Sequence, residues 1–106
     1  MFRKWSEGVA VEAVPGAVRR TLAVGEKTLL VEWQIRGGAE VPLHQHPHEQ
    51  TGYLVSGAGD MTIGEETRRL QQGDAYVAPG GVPHGLVAVE DCRIVDVFAP
   101  VREDYK

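Results

Sequence analysis

The sequence predicts an all-β fold, a sandwich or barrel of roughly eight to ten short strands. Three observations carry that expectation. Thirteen of the 106 residues are glycine and six are proline, so the chain turns often and leaves little room for a long helix. Short stretches alternate apolar with polar residues, the period of a half-buried strand. Turn signals recur about every 8–12 residues, the spacing of an antiparallel sandwich or barrel. A sheet closed on itself also removes the exposed edges that invite aggregation.

The elements follow in order. Arg19–Val24 is the first expected strand. In Leu29–Ile35, Leu29, Val31, Trp33 and Ile35 alternate with Leu30, Glu32 and Gln34, and Gly37-Gly38 ends the run. Val41–His46 reads as extended. Gly52–Ser56 is the next strand, ended by Gly57. Asp60–Ile63 and Thr67–Leu70 flank Gly64-Glu65-Glu66 as a hairpin. A helical turn or two over Glu65–Gln72 is the alternative there, though it is short for a helix. Gln72-Gly73-Asp74 turns into Ala75–Ala78, which stops at Pro79-Gly80-Gly81. Gly85–Val89 and Cys92–Phe98 form a last hairpin around Glu90-Asp91, and the tail Ala99 to Lys106 is polar. No linker, repeat or low-complexity tract divides the chain, so residues 1–106 read as one domain.

Charge and composition exclude several classes. Eleven basic against fifteen acidic residues give a net charge of −4, and the basic residues are scattered. No basic stripe is available to a phosphate backbone, so nucleic acid is not an expected partner. Apolar runs stop far short of the ~18 residues of a membrane helix. The N-terminus lacks the apolar core of a signal peptide. The single cysteine, Cys92, has no partner for an internal disulfide and is expected as a small buried group, which fits a cytoplasmic protein.

Three of the four histidines fall in one stretch, His44-Gln45-His46-Pro47-His48-Glu49-Gln50. On a strand, residues two apart share a face, so His44 and His46 are expected to converge on one point. A divalent first-row metal takes several such nitrogens, with an oxygen, at about 2.0–2.2 Å. Gln50 begins the strand that runs to Gly57, and its carbonyl is a candidate oxygen. His84 would add a ligand from another strand. Glu49 is the competing oxygen donor, but it has the opposite strand parity. His48 is open between a pocket-rim role and a surface role, because Pro47 restricts the backbone before it. A His-x-His pair by itself is also common in surface and core positions that hold no metal.

The spacing Gly38, His44-x-His46, Gln50, Gly57 resembles the first motif of the cupins, where glutamate usually stands at the position of Gln50. The spacing Gly73, Pro79, Gly81, His84 resembles the second motif, whose trailing asparagine is Ala88 here. The motifs occupy residues 38–57 and 73–88. The resemblance implies a jelly-roll barrel, or double-stranded β-helix, without substantial helix. It also implies one divalent transition metal in the barrel mouth, held by His44, His46, Gln50 and His84. Such a set of three nitrogens and an oxygen suits Zn, Ni, Mn, Fe or Cu. A neutral amide in place of a carboxylate leaves the ion's full charge in the site, which favours an anionic substrate.

Asp96 lies between Val95 and Val97 and shares a face with Ile94 and Phe98. An acid in an apolar strand is costly unless paired or functional. The two readings are a general acid/base in the barrel mouth and a charge on a solvated sheet face. The string Asp96-x-Phe98-x-Pro100-x-Arg102-Glu103-Asp104-Tyr105 resembles the tail of small bacterial cupins that include the pectin-degradation proteins opening 4,5-unsaturated uronates. That resemblance implies Asp96 as proton shuttle, Arg102 as carboxylate clamp and Phe98 as pocket wall. Arg102 pairing with a nearby carboxylate is the plainer alternative. The expected function is thus a redox-neutral, metal-dependent enzyme on a small acidic sugar or other enolisable substrate. The alternatives are a metal-dependent dioxygenase and a non-catalytic small-molecule sensor. Trp5, Trp33 and apolar outer strands suggest a homodimer, with Tyr105 a candidate for packing on the partner copy.

Overall fold

A computed structural model describes every residue from Met1 to Lys106. Ten strands form two antiparallel sheets that face each other. They are β1 (Val9–Val14), β2 (Ala17–Val24), β3 (Leu29–Ile35), β4 (Glu40–His44), β5 (Glu49–Ser56), β6 (Ala58–Ile63), β7 (Glu66–Gln71), β8 (Ala75–Ala78), β9 (His84–Ala88) and β10 (Cys92–Ala99). The six-stranded sheet runs β1-β2-β3-β10-β5-β8, and the four-stranded sheet runs β4-β9-β6-β7. The only helical pieces are single 3-10 turns at Trp5–Glu7 and Glu103–Tyr105. This is the all-β jelly roll that the motifs implied. No helix is long and apolar enough to cross a membrane.

Strand alternation builds the core. Leu29, Val31, Trp33 and Ile35 on β3 face inward, and Ile94, Asp96 and Phe98 do so on β10. With Leu54, Met61, Leu86 and others they close one apolar cluster between the sheets. Trp33 is only 8% exposed, so it belongs to the core rather than to an outer, dimer-forming face.

Two expectations change, at β1 and at His46. β1 was not anticipated: Val9–Val14 pairs with β2 as a hairpin through Pro15-Gly16. Its side chains are almost all exposed, so the burial pattern that marks a strand is faint there. The hairpin expected around Gly64 forms: β6 pairs with β7 through a two-residue turn at Gly64 (φ 62°), so the helical alternative over Glu65–Gln72 falls away. β4 ends at His44, so His46 does not lie on the same strand. Pro47, which cannot donate to a ladder, follows in the connection that crosses from the four-stranded sheet to β5. The Tyr105 ring, half-buried, meets Phe98 of its own chain edge-on, with centroids 5.4 Å apart.

Candidate metal centre

The site lies between the sheets at one end of the barrel. β4 and β9 place His44 directly opposite His84 across the four-stranded sheet. Their ring centroids are 4.4 Å apart. The β4–β5 connection swings His46 in beside them, 4.8 Å from His84. Ring nitrogens of His44, His46 and His84 all lie within 4.8 Å of one another, a grouping that could hold a metal ion. From the six-stranded sheet, the row Phe98–Gln50–Ala78 brings Gln50 to the same point. Gln50 is buried while Glu49 is exposed, as parity required.

Hydrogen bonding assigns the tautomers. His44 Nδ1 faces Pro42 O at 2.9 Å, His46 Nδ1 faces His48 O at 3.0 Å, and His84 Nδ1 faces Val82 O at 3.0 Å. A carbonyl oxygen only accepts, so each Nδ1 carries the hydrogen and each Nε2 keeps a bare lone pair. Gln50 donates its amide N–H to Asp96 Oδ2 at 2.9 Å. Its Oε1 therefore points inward, 3.1 Å from both His46 Nε2 and His84 Nε2. Acceptors thus face acceptors around one point with no hydrogen between them. A cation satisfies such a set, so the residues fit a metal of the kind that imidazole and amide oxygen bind. Burial holds the His46 and His84 pKa values below the ordinary histidine range, with Arg102 adding to the effect, so their lone pairs stay available. Each backbone carbonyl behind a ring also fixes its orientation.

Asp96 is 1% exposed and lies inside the barrel, not on a solvated face. Burial raises its pKa to about 7, although hydrogen bonds from Tyr76 and Gln50 oppose the shift. Tyr76, which sequence reasoning missed, donates its hydroxyl to Asp96 Oδ1 at 2.5 Å. Asp96, Phe98, Arg102 and Tyr105 line the half-open cavity beside His44 and His84, whose volume is about 30 Å3. That is ion- or water-sized, so a larger molecule must seat in the mouth above it.

Arg102 makes the plainer of its two expected contacts, a pair with a nearby carboxylate, and keeps one edge unpaired. Its Nε and Nη2 donate to Asp104 at 3.3 and 2.8 Å. Its Nη1 is buried with no partner, and its side chain is only 11% exposed. His48 does not line this cavity. It lends its carbonyl to His46, and its own Nδ1 is buried without a partner.

Residues 31–98, more than half of the chain, match the family model for the cupin domain. The pectin degradation protein KdgF of Dickeya dadantii is 32% identical, over 85% of this chain and 84% of that protein. The structure of KdgF from Halomonas sp. is 38% identical, covers 98% of this chain and 96% of that one, and superposes with a TM-score of 0.90. An RmlC-like cupin from Shewanella frigidimarina is 28% identical, covers 99% and 95% of the two chains, and gives a TM-score of 0.92.

Proposed function

The chain belongs to the cupin domain family, and on that premise we propose that it is a metal-dependent, redox-neutral enzyme that opens the ring of 4,5-unsaturated uronates. The observation that carries this reading is the open edge of Arg102. A buried N–H without a partner costs about 1–3 kcal/mol. The unpartnered Nη1 belongs to a residue lining the same cavity as His44, His84 and Asp96. An anionic oxygen in the mouth would satisfy it with a charge-assisted hydrogen bond. A uronate offers a carboxylate for that edge and hydroxyl oxygens for the centre. The likeness to two KdgF proteins supports the same substrate class.

His44, His46, His84 and Gln50 would hold the metal. When bound, a divalent ion supplies Lewis-acid polarisation of a substrate oxygen. The rest falls to the chain's own residues. Arg102 Nη1 clamps the substrate carboxylate and sets its orientation. Phe98 walls the pocket and keeps water from the reacting face. The reaction is an isomerisation. The anomeric hydroxyl loses its proton as the C1–O5 bond breaks, leaving an aldehyde at C1 and an enolate over C4–C5. A proton delivered to C4 then gives the ketone at C5, with no atom gained or lost. Asp96, ionisable near neutrality in its buried position, takes and returns that proton. Tyr53, Val77 and Val97 are exposed together on the outer face of the six-stranded sheet, which supports a homodimer.

The test is turnover of unsaturated galacturonate, followed by loss of absorbance at the conjugated double bond, on protein of measured metal content. Asp96→Asn is expected to lower kcat about 10²–10⁴-fold, and Arg102→Ala to lower kcat/KM with a raised KM. Equal rates for Asp96→Asn and wild type would remove Asp96 from catalysis. Oxygen consumption dependent on added iron and substrate would replace the isomerase by a dioxygenase.

A further inference from the structure

The strand row through Asp96 holds three residues level with one another. Asp96 on β10 is opposite Gly52 on β5, and Gly52 is opposite Tyr76 on β8. Tyr76 and Asp96 are both turned into the barrel, 9% and 1% exposed. The Tyr76 hydroxyl crosses over Gly52 to donate to Asp96 Oδ1 at 2.5 Å. A Cβ at position 52 would collide with Tyr76 Cζ and Oη and with Asp96 Oδ1. A glycine inside a strand usually weakens it, and marks a place where other groups approach closely. Here the approaching groups are the two ends of one hydrogen bond.

Asp96 Oδ2 is engaged from the other side by Gln50 Nε2 at 2.9 Å. That bond decides which end of the Gln50 amide meets the imidazoles. An amide rotated by half a turn exchanges its carbonyl for its NH2. It would then present hydrogens, not a lone pair, to a cation. An ionised carboxylate accepts only, so Asp96 retains the NH2 end and leaves Oε1 facing inward. The carboxylate's own torsion is soft and roughly two-fold, and a second donor is what holds its plane.

We propose that Tyr76, passing over Gly52, is a positioning residue of the metal centre: it holds the Asp96 carboxylate, which in turn keeps the Gln50 carbonyl oxygen aimed at His46 and His84. This rests on the reading that the histidine cluster holds a metal. It adds a residue pair, Tyr76 and Gly52, from outside the two sequence motifs' ligand positions. It also gives Asp96 a second task that does not depend on turnover.

The experiment reads metal affinity and geometry, not activity. Co2+ is titrated in competition with a chromophoric chelator into wild type, Tyr76→Phe, Asp96→Asn and the double variant. The visible spectrum of bound Co2+ reports the ligand set. Tyr76→Phe is expected to bind about tenfold more weakly, the usual cost of losing a partner behind a ligand, with shifted visible bands. In the Asp96→Asn background the same change should alter affinity less than about twofold, because the clamp is already broken. Equal losses in both backgrounds, or an unchanged affinity and spectrum in Tyr76→Phe, overturn the proposal. A second measurement needs neither metal nor variant. In metal-free wild type, the Tyr76 hydroxyl proton should exchange slowly and show a nuclear Overhauser contact to the Gln50 side-chain amide. Lack of that contact sinks the clamp. Failure of wild type to take up Co2+ sinks the metal reading instead, while the amide contact still decides the clamp.

Discussion

Cys92 is 4% exposed at the start of β10, and its thiol donates to the carbonyls of Ala58 and Glu90, both at 3.2 Å. Burial pushes its pKa above the ordinary thiol value. Only the thiolate is a good nucleophile, so the residue is inert despite being the chain's one sulfhydryl. Iodoacetamide at neutral pH should leave Cys92 unmodified in the folded protein and label it fully in denaturant, as mass spectrometry can read. Rapid labelling under native conditions would mean that this end of the barrel opens locally. The same burial acts differently on Asp96, which has hydrogen-bond donors on both oxygens and a cavity beside it. Identity supplies the chemistry of a residue, and its neighbours decide whether that chemistry is used.

Strands β3 and β10 carry a polar contact on the outer side of the six-stranded sheet. Glu32 is 2% exposed. It accepts from Arg93 Nε and Nη2, both at 2.7 Å, and from Trp5 Nε1 at 2.9 Å. Trp5 in turn stacks under Arg20, whose guanidinium carbon is 3.8 Å from the ring centroid. The N-terminal turn thus covers the carboxylate and supplies a donor to its second oxygen, beside the two from Arg93. Arg93 is about half exposed, so its loss should cost less than breaking a fully buried pair. Arg93→Ala is expected to lower stability by about 2 kcal/mol in urea unfolding. Adding Glu32→Gln should recover part of the loss, since a neutral amide is cheaper to leave half-paired. At the other terminus the tail folds back on the mouth. Thr21 Oγ1 donates to the Tyr105 carbonyl, and Arg19 and Arg102 flank the Tyr105 ring at 3.8 and 3.7 Å. This stacking holds Arg102 with Nη1 free, so the last residues act as part of the pocket wall.

The whole molecule joins two sheets that each supply part of the site, so a bound ion would tie them together. An ion that binds only the folded state at a hundred times its Kd adds about 2.7 kcal/mol. For a domain of about 100 residues that is about 10–20 °C in Tm. Chelator treatment should lower the melting temperature by this amount, and readdition of metal should restore it. An unchanged Tm in protein shown to have lost its metal would mean that the cluster does not couple the sheets. Much of this architecture is legible in the sequence, because alternation and turn chemistry are local. The bounds of β3 and β8, the inward parity of Gln50, and the spacing of His44, His46, Gln50 and His84 can all be read along the chain, whereas for Asp96 the sequence shows only the face it shares with Ile94 and Phe98, and burial in the fold decides that this face is the inner one. β1 escaped because its exposed side chains carry almost no burial pattern. The same-strand argument for His46 failed because β4 ends at His44, and the connection to β5, which bends at Pro47-His48, brings the ring in instead. Tyr76 reads only as an apolar residue of a short strand. Its meeting with Asp96 over Gly52 depends on the register of β8, β5 and β10, and register is set by cross-strand hydrogen bonds between residues far apart in sequence. The sequence by itself thus determined which donors are present and which way most strands face. Only the tertiary structure decided which of those donors meet, and which atom of Gln50 and of Arg102 is left free for a ligand, because those outcomes depend on hydrogen bonds among residues drawn together from both sheets and the tail.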